Sequence, residues 1–142
     1  MDDPYRLQRF LEAQEPVVDA VFDELRAGRK RSHWMWFVFP QMRGLGSTPT
    51  AQFYGIGSRE EASAYLAHDV LGPRLGRCAR VVVESGAVSA EALMGPVDAL
   101  KLRSSMTLFA EVADDERDFV AVLETFYGGV RDATTLGLLG GR

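Results

Sequence analysis

The sequence is poor in the residues that staple small proteins together. One cysteine and two histidines in 142 residues leave no internal disulfide and no cluster with zinc-finger spacing. Its apolar runs are too short to span a bilayer, and residues 1–4 lack the basic and apolar regions of a signal peptide. These absences predict a cytoplasmic protein with no metal site, no cofactor and no membrane contact.

Lysine is also scarce. Of 16 basic residues only Lys30 and Lys101 are lysines, and the net charge of −4 argues against a dedicated nucleic-acid binder. A lysine carries a compact charge on a flexible stem, which a planar guanidinium cannot replace. The two lysines are therefore either functional or a chance feature of composition.

Helical periodicity dominates the chain. Hydrophobic residues at 46% and charged residues at 25% are average for a globular protein. Apolar residues recur three and four apart, and no segment alternates with period two for long enough to build a sheet. The sequence predicts a mostly α fold in which residues 1–142 form a single multi-helix domain.

Capping and breaking residues predict the helix boundaries. Gln14, on an apolar stripe, is expected to make a buried structural hydrogen bond. The predicted elements are a helical hairpin or kinked helix from Asp3 to Gly28 interrupted at Glu15 and Pro16, helices over 58–67, 71–84 and 96–112, a short turn from Ser89 to Met94, a helix capped by Asp114 or Asp115 that ends at Gly128, and a short helix from Asp132.

Residues 32–40 are the most aromatic part of the chain. By propensity they read as a buried strand, but Ser32 could cap a short helix that Pro40 ends, and we favour the helix. The following residues, 41–57, contain four glycines and a proline. They predict a long glycine-rich loop.

Three segments are candidates for a functional site. In the first, a run of cations that includes Lys30 precedes His33, Trp34 and Trp36. Positive charge beside flat aromatic faces suits an anionic ligand that contains a ring. The alternative is a solvated basic turn that leads into a buried aromatic anchor.

The second candidate is the start of the glycine-rich loop, where Gln41, Arg43, Gly44, Gly46 and Ser47 follow one another closely. Glycines let backbone amides approach a ligand, and the arginine and hydroxyl offer anion contacts. The phosphate-binding loop of nucleotide triphosphatases ends in a lysine followed by a serine or threonine, and this segment lacks that ending. A plain turn is the alternative.

The third candidate lies in the helix predicted over 96–112. Asp98, Lys101 and Ser105 share one face at spacings of three and four, with Ser104 beside them. Such a set can bind a polar ligand, and a lysine near a serine can activate it as a nucleophile. An ordinary surface salt bridge is the alternative.

The aromatic segment also carries a family resemblance. Residues 28–41, followed by Gly44 to Gly46, resemble the signature of domain-of-unknown-function family 1810, and the likeness covers nearly the whole chain. Members are sometimes labelled calpastatin, but this folded composition is unlike that of a disordered protease inhibitor. The resemblance implies a family without an established activity.

We therefore expect the three segments to meet in one pocket for a phosphorylated or nucleotide-like small molecule, with hydrolysis or group transfer as a further option. His33 would act as general acid or base, Asp98 would orient Lys101 or a water, and an indole would stack. The alternatives are a non-catalytic helical module that binds a partner protein and, less favoured by the acidic charge, a single-stranded nucleic-acid binder. The sequence does not predict an oligomeric state.

Overall fold

The computed structural model describes residues 2–140, which fold into helices without a strand. Met42 and Ile56 form an isolated parallel β-bridge. No helix in this part of the chain is long and apolar enough to cross a membrane. The helices are α1 (Gln8–Gln14), α2 (Val18–Arg26), α3 (Met35–Val38), α4 (Pro49–Phe53), α5 (Arg59–Ala67), α6 (Leu71–Glu84), α7 (Ala90–Met94), α8 (Pro96–Val112), α9 (Arg117–Tyr127) and α10 (Ala133–Leu138).

Helices α6, α8 and α9 form the centre of the molecule, because α9 packs against both of the others and α2 and α5 pack against α6. A chain of aromatic rings links the outer helices to this centre. The Tyr65 ring lies 5.1 Å from that of Phe10 and 5.3 Å from that of Phe109, which lies 5.9 Å from that of Phe119. Such pairs add specific geometry to the apolar area that they bury. The mostly α prediction is confirmed.

Most predicted boundaries are confirmed. Helices α6 and α8 have the predicted ends, and the Ser58, Ser89 and Asp132 side chains each accept a hydrogen bond from a backbone N–H group in the first turn of their helix. The N-cap position of α9 is one residue later than predicted, at Glu116, whose side chain makes no capping hydrogen bond. The Asp115 carboxylate still accepts a hydrogen bond from the backbone N–H of Arg117, the first residue of α9, at 3.2 Å, and it also pairs with the Arg117 guanidinium at 2.7 Å.

The aromatic segment forms the short helix α3, which confirms the favoured alternative. Ser32 does not cap it: Trp34 is the N-cap residue, and the Ser32 hydroxyl donates to Glu24 at 2.6 Å. Residues 27–34 lie between α2 and α3 and belong to neither helix. Tertiary contacts, such as the hydrogen bonds of Ser32 and Trp34 to Glu24, therefore set the position of the segment.

The long loop predicted over residues 41–57 is wrong in its middle, where α4 forms. Thr48 caps α4 by accepting a hydrogen bond from Ala51, and Pro49 fits the first helical position. The two ends of the segment meet at the Met42–Ile56 bridge. A Cβ atom on Gly55 would lie 2.8 Å from the Arg43 backbone, so glycine permits this close approach.

Polar side chains tie the outer helices together inside the molecule. The Gln14 amide donates to the Phe37 carbonyl at 2.6 Å and to the Tyr65 hydroxyl at 3.0 Å, and its oxygen accepts from Arg74 at 3.0 Å. The structural role predicted for Gln14 is confirmed. Arg9 and Glu61 form a second buried link, an ion pair of 2.6 Å between α1 and α5.

Candidate functional site

Both lysines of the chain meet at one carboxylate. The Lys30 ammonium lies 2.9 Å from Asp98 Oδ2, and the Lys101 ammonium lies 3.5 Å from Asp98 Oδ1. Asp98 stands in the first turn of α8, where the helix dipole favours a negative charge. Two ammonium groups against one carboxylate leave this cluster with an excess of one positive charge.

Each ammonium of this cluster also faces an indole ring. Lys30 Nζ lies 5.0 Å from the Trp34 ring centroid, and Lys101 Nζ lies 4.7 Å from that of Trp36. Distances below about 6 Å allow attraction between a cation and the ring quadrupole. Trp34 is buried and Trp36 is partly exposed. The cluster therefore has a closed side at Lys30 and an open side at Lys101.

The open side borders a surface depression, here called the α8 cleft, with a volume of about 330 Å³. One wall is a single face of α8, on which the cleft residues are three and four apart. The other wall comes from α3, the loop after it and α4. The residues that line the cleft are Trp36, Gln41, Leu45, Gly46, Thr48, Ala51, Val97, Leu100, Lys101 and Ser104.

Glu24, at the end of α2, holds the segment that carries Lys30 and the indoles. Its carboxylate accepts hydrogen bonds from the Arg31 amide (2.8 Å), the Ser32 amide (3.1 Å) and hydroxyl (2.6 Å), and Trp34 Nε1 (3.0 Å). Burial acts to raise the pKa of this carboxyl, but the hydrogen bonds outweigh it and lower the pKa from 4.5 to about 2. The carboxylate is therefore ionised at neutral pH and holds four donors from three residues, Arg31, Ser32 and Trp34.

The sequence matches a known protein family over nearly its whole length. Residues 4–139 match the family described as "Protein of unknown function (DUF1810)". The chain belongs to this family. No curated protein matches it. It is similar to the conserved hypothetical protein Rv1873 from Mycobacterium tuberculosis, a crystal structure with 59% sequence identity and a TM-score of 0.95. The similarity covers 96% of this chain and 98% of that one.

In this DUF1810 protein only some of the loop residues predicted to bind a ligand line the cleft. Gln41 and Gly46 line the α8 cleft. The Arg43 guanidinium instead donates to the carbonyls of Gln52 at 3.3 Å and Gly55 at 3.0 Å, and so ties down α4. Ser47 and Gly44 do not belong to the cleft lining: the Ser47 carbonyl accepts from Gln52, and Gly44 lies against α10.

His33 and the two serines of α8 are also separated. His33 is exposed and outside the cleft lining, whereas Ser104 lines the cleft and donates to the Leu100 carbonyl at 3.2 Å. Ser105 is fully buried, and its hydroxyl has no hydrogen-bond partner among residues 2–140. The structure thus brings Lys30, Asp98 and Lys101 together and leaves His33 and Ser105 apart from the cleft.

Two features of the candidate site were missed by the sequence predictions. Val97 and Leu100 complete the α8 wall, and the spacing of three and four residues to Lys101 was a usable signal. Glu24 was missed as well, although the sequence between it and Glu60 contains no acidic residue. A buried indole N–H needs an acceptor. The nearest preceding carboxylates were therefore candidates for one.

Two further features bear on the chemistry of the described residues, namely their possible metal ligands and their one thiol. Within residues 2–140 no three His, Cys, Asp or Glu side chains are grouped so as to hold a metal ion. Burial raises the pKa of the Cys78 thiol to about 12, with Arg74 and Arg77 opposing the shift. The thiol is therefore protonated at neutral pH and is a structural residue of α6.

Proposed function

We propose that the α8 cleft binds a small phosphorylated or nucleotide-like molecule. One observation carries the proposal: an excess positive charge, formed by two lysines on one aspartate, lies beside an indole face at an open cleft. An anion gains from the charge, and a planar ring gains from stacking on the indole. The same ligand can make both contacts because Lys101 and Trp36 are neighbours.

The two lysines have different tasks in this proposal. The Lys30 side chain is only 6% exposed, and its ammonium donates to the Ser32 carbonyl at 2.5 Å as well as pairing with Asp98. It neutralises Asp98 from the buried side. Lys101 is 22% exposed and its contact with Asp98 is longer, so its ammonium has donors to offer to a ligand.

The proposal is limited to binding. The cleft lining contains no histidine and no carboxylate, and Asp98 lies behind Lys101, between two ammonium groups. Asp98 therefore contacts the two lysines and not the cleft. The hydrolase or group-transfer role that the sequence left open would require His33 to reach the cleft from its exposed position.

A thermal-shift screen against nucleotides, sugar phosphates and aromatic acids tests the proposal, because a ligand that binds the folded state raises the melting temperature by mass action. We expect a ligand-dependent rise that the Lys101→Met variant loses. Arg29→Met is the matched control, since it removes one positive charge from an exposed position outside the cleft lining. A rise that Lys101→Met retains in full, or no rise with any compound, would refute the proposal.

A further inference from the structure

The lining of the α8 cleft contains few charged side chains. Lys101 is the one charged side chain among its lining residues, and the polar remainder consists of Gln41, Thr48 and Ser104. Behind Lys101, Asp98 and Lys30 cancel each other. The cleft therefore offers a ligand one positive charge and neutral hydrogen-bonding groups.

The arginines closest in sequence to cleft residues, one in the loop after α3 and one in α8, already donate to carbonyl groups. Arg43 donates to Gln52 and Gly55, and Arg103 donates to the Val130 carbonyl at 2.9 Å and the Arg131 carbonyl at 3.4 Å. To reach a ligand they would have to break contacts that hold α4 and the segment before α10. A second or third anionic group on a ligand would therefore have no cationic side chain beside it among the lining residues of the cleft.

Apolar and flat surfaces make up much of the remaining lining. Val97 and Leu100 are 65% and 66% exposed on α8, Leu45 lies in the loop after α3, and Trp36 presents a partly exposed indole. The volume of about 330 Å³ is at the small end of the range for ligand pockets, roughly 300–1,000 Å³. A ligand that fills the cleft is thus mostly apolar or planar.

We infer that the ligand carries a single anionic group on a flat ring system, such as a nucleoside monophosphate or an aromatic carboxylate, and that the cleft rejects di- and triphosphates. This inference rests on the proposed function and narrows its ligand class. The charge selectivity follows because each added phosphate is either desolvated beside Val97 and Leu100 without a partner or left outside the cleft.

Titration calorimetry with AMP, ADP and ATP tests the inference, because these compounds share one ring and differ in their number of phosphates. The buffer contains no divalent cation, and the ionic strength is held constant. A second pair, 2-naphthoate and its uncharged amide, tests the anion without a phosphate. We expect AMP to bind about ten-fold more tightly than ATP, a difference of about 1.4 kcal/mol, and naphthoate to bind more tightly than its amide.

The outcomes separate this inference from the proposed function. Equal or tighter binding of ATP would overturn the inference and leave the proposed function standing. Binding of naphthoate with no binding of any nucleotide would keep the single-anion inference and remove phosphate from the proposed function. No binding by any of the five compounds would overturn both.

A charge placed on the apolar wall gives an independent test. Leu100→Asp puts a negative charge into the cleft lining, and we expect it to weaken AMP or naphthoate binding by about ten-fold or more, since like charges repel. Val88→Asp is the matched control, because Val88 is 93% exposed and lies outside the cleft lining. Equal affinities of the two variants and the wild type would contradict the placement of the ligand against α8.

Discussion

Replacing Glu24 by glutamine removes the charge that organises residues 31–34. The carboxylate accepts all four of its hydrogen bonds from this segment, through two backbone amides, one hydroxyl and one indole. A glutamine side chain has the same shape but no charge, and its NH₂ group would replace the oxygen that now accepts from the Ser32 hydroxyl. The hydroxyl must then accept instead of donate, and the other three hydrogen bonds lose the strengthening that the charge provides.

The pKa gives the size of the effect. Lowering the Glu24 pKa from 4.5 to about 2 corresponds to roughly 3 kcal/mol in favour of the ionised folded state. The residue is partly exposed, so solvent screening reduces this figure, and we expect Glu24→Gln to lower the free energy of unfolding by about 1–3 kcal/mol at pH 7. Because the folded pKa is lowered, the contribution is complete above pH 4.5 and is lost as the pH falls towards 2.

Urea unfolding of wild type and Glu24→Gln at pH 7 and at several values down to pH 3 measures this contribution. The quantity to compare is the difference in the free energy of unfolding between the two proteins at each pH, because their other carboxylates titrate in both. Glu12→Gln, at an exposed position of α1, is the control and should change the free energy of unfolding by less than about 0.5 kcal/mol. A Glu24→Gln effect as small as the control, or one that does not shrink in acid, would refute the role given to Glu24.

Three further predictions concern other contacts. Arg9→Met leaves the Glu61 carboxylate buried without its partner and should lower the free energy of unfolding, measured in denaturant, by about 3–5 kcal/mol. The double variant Arg9→Met with Glu61→Gln should recover part of this loss, and no recovery would show that the unpaired carboxylate is not its cause. The His68 Nδ1 atom accepts hydrogen bonds from the amides of residues 70 and 71 at the start of α6. His68→Ala should therefore lower the free energy of unfolding by about 1 kcal/mol and His68→Asn by less, whereas equal losses would argue against capping. Cys78, buried and with its pKa raised to about 12, should react with iodoacetamide at pH 8 only in denaturant, and rapid native labelling would contradict its burial.

Local signals account for the parts of the fold that were predicted well. Helix α8 begins at Pro96 and ends at Val112 as expected, because its proline and apolar spacing act within a few residues. Helix α4 was missed although Thr48 and Pro49 form an ordinary helix start, since the glycines around them predicted a loop. The start of α9 was misplaced because three successive acidic residues, 114–116, offer competing caps.

The candidate site was harder to predict because it depends on contacts between distant segments. The pairing of Asp98 with Lys101 follows from helical spacing, but the approach of Lys30 from 68 residues away depends on tertiary contacts, such as the hydrogen bond that the Lys30 amide donates to the Leu93 carbonyl of α7 at 2.7 Å. The side-chain direction of His33 is not fixed by any periodicity either, because it precedes a helix of four residues. Tertiary contacts through Glu24 orient that segment, and they turn Lys30 inward and leave His33 exposed.

The scarcity of lysine gains a physical reason from this arrangement. An arginine in place of Lys101 would present a planar fork that matches a carboxylate with two parallel hydrogen bonds, and Asp98 would then occupy it. An ammonium is compact enough to share Asp98 with Lys30, to lie over the Trp36 ring and to keep donors for a ligand. All other basic side chains of the protein are arginines. Both lysines lie against Asp98, where an arginine would bind the carboxylate with two hydrogen bonds and keep fewer donors for a ligand. The choice of cation and the open cleft therefore both support the proposal that Lys101 binds an anion.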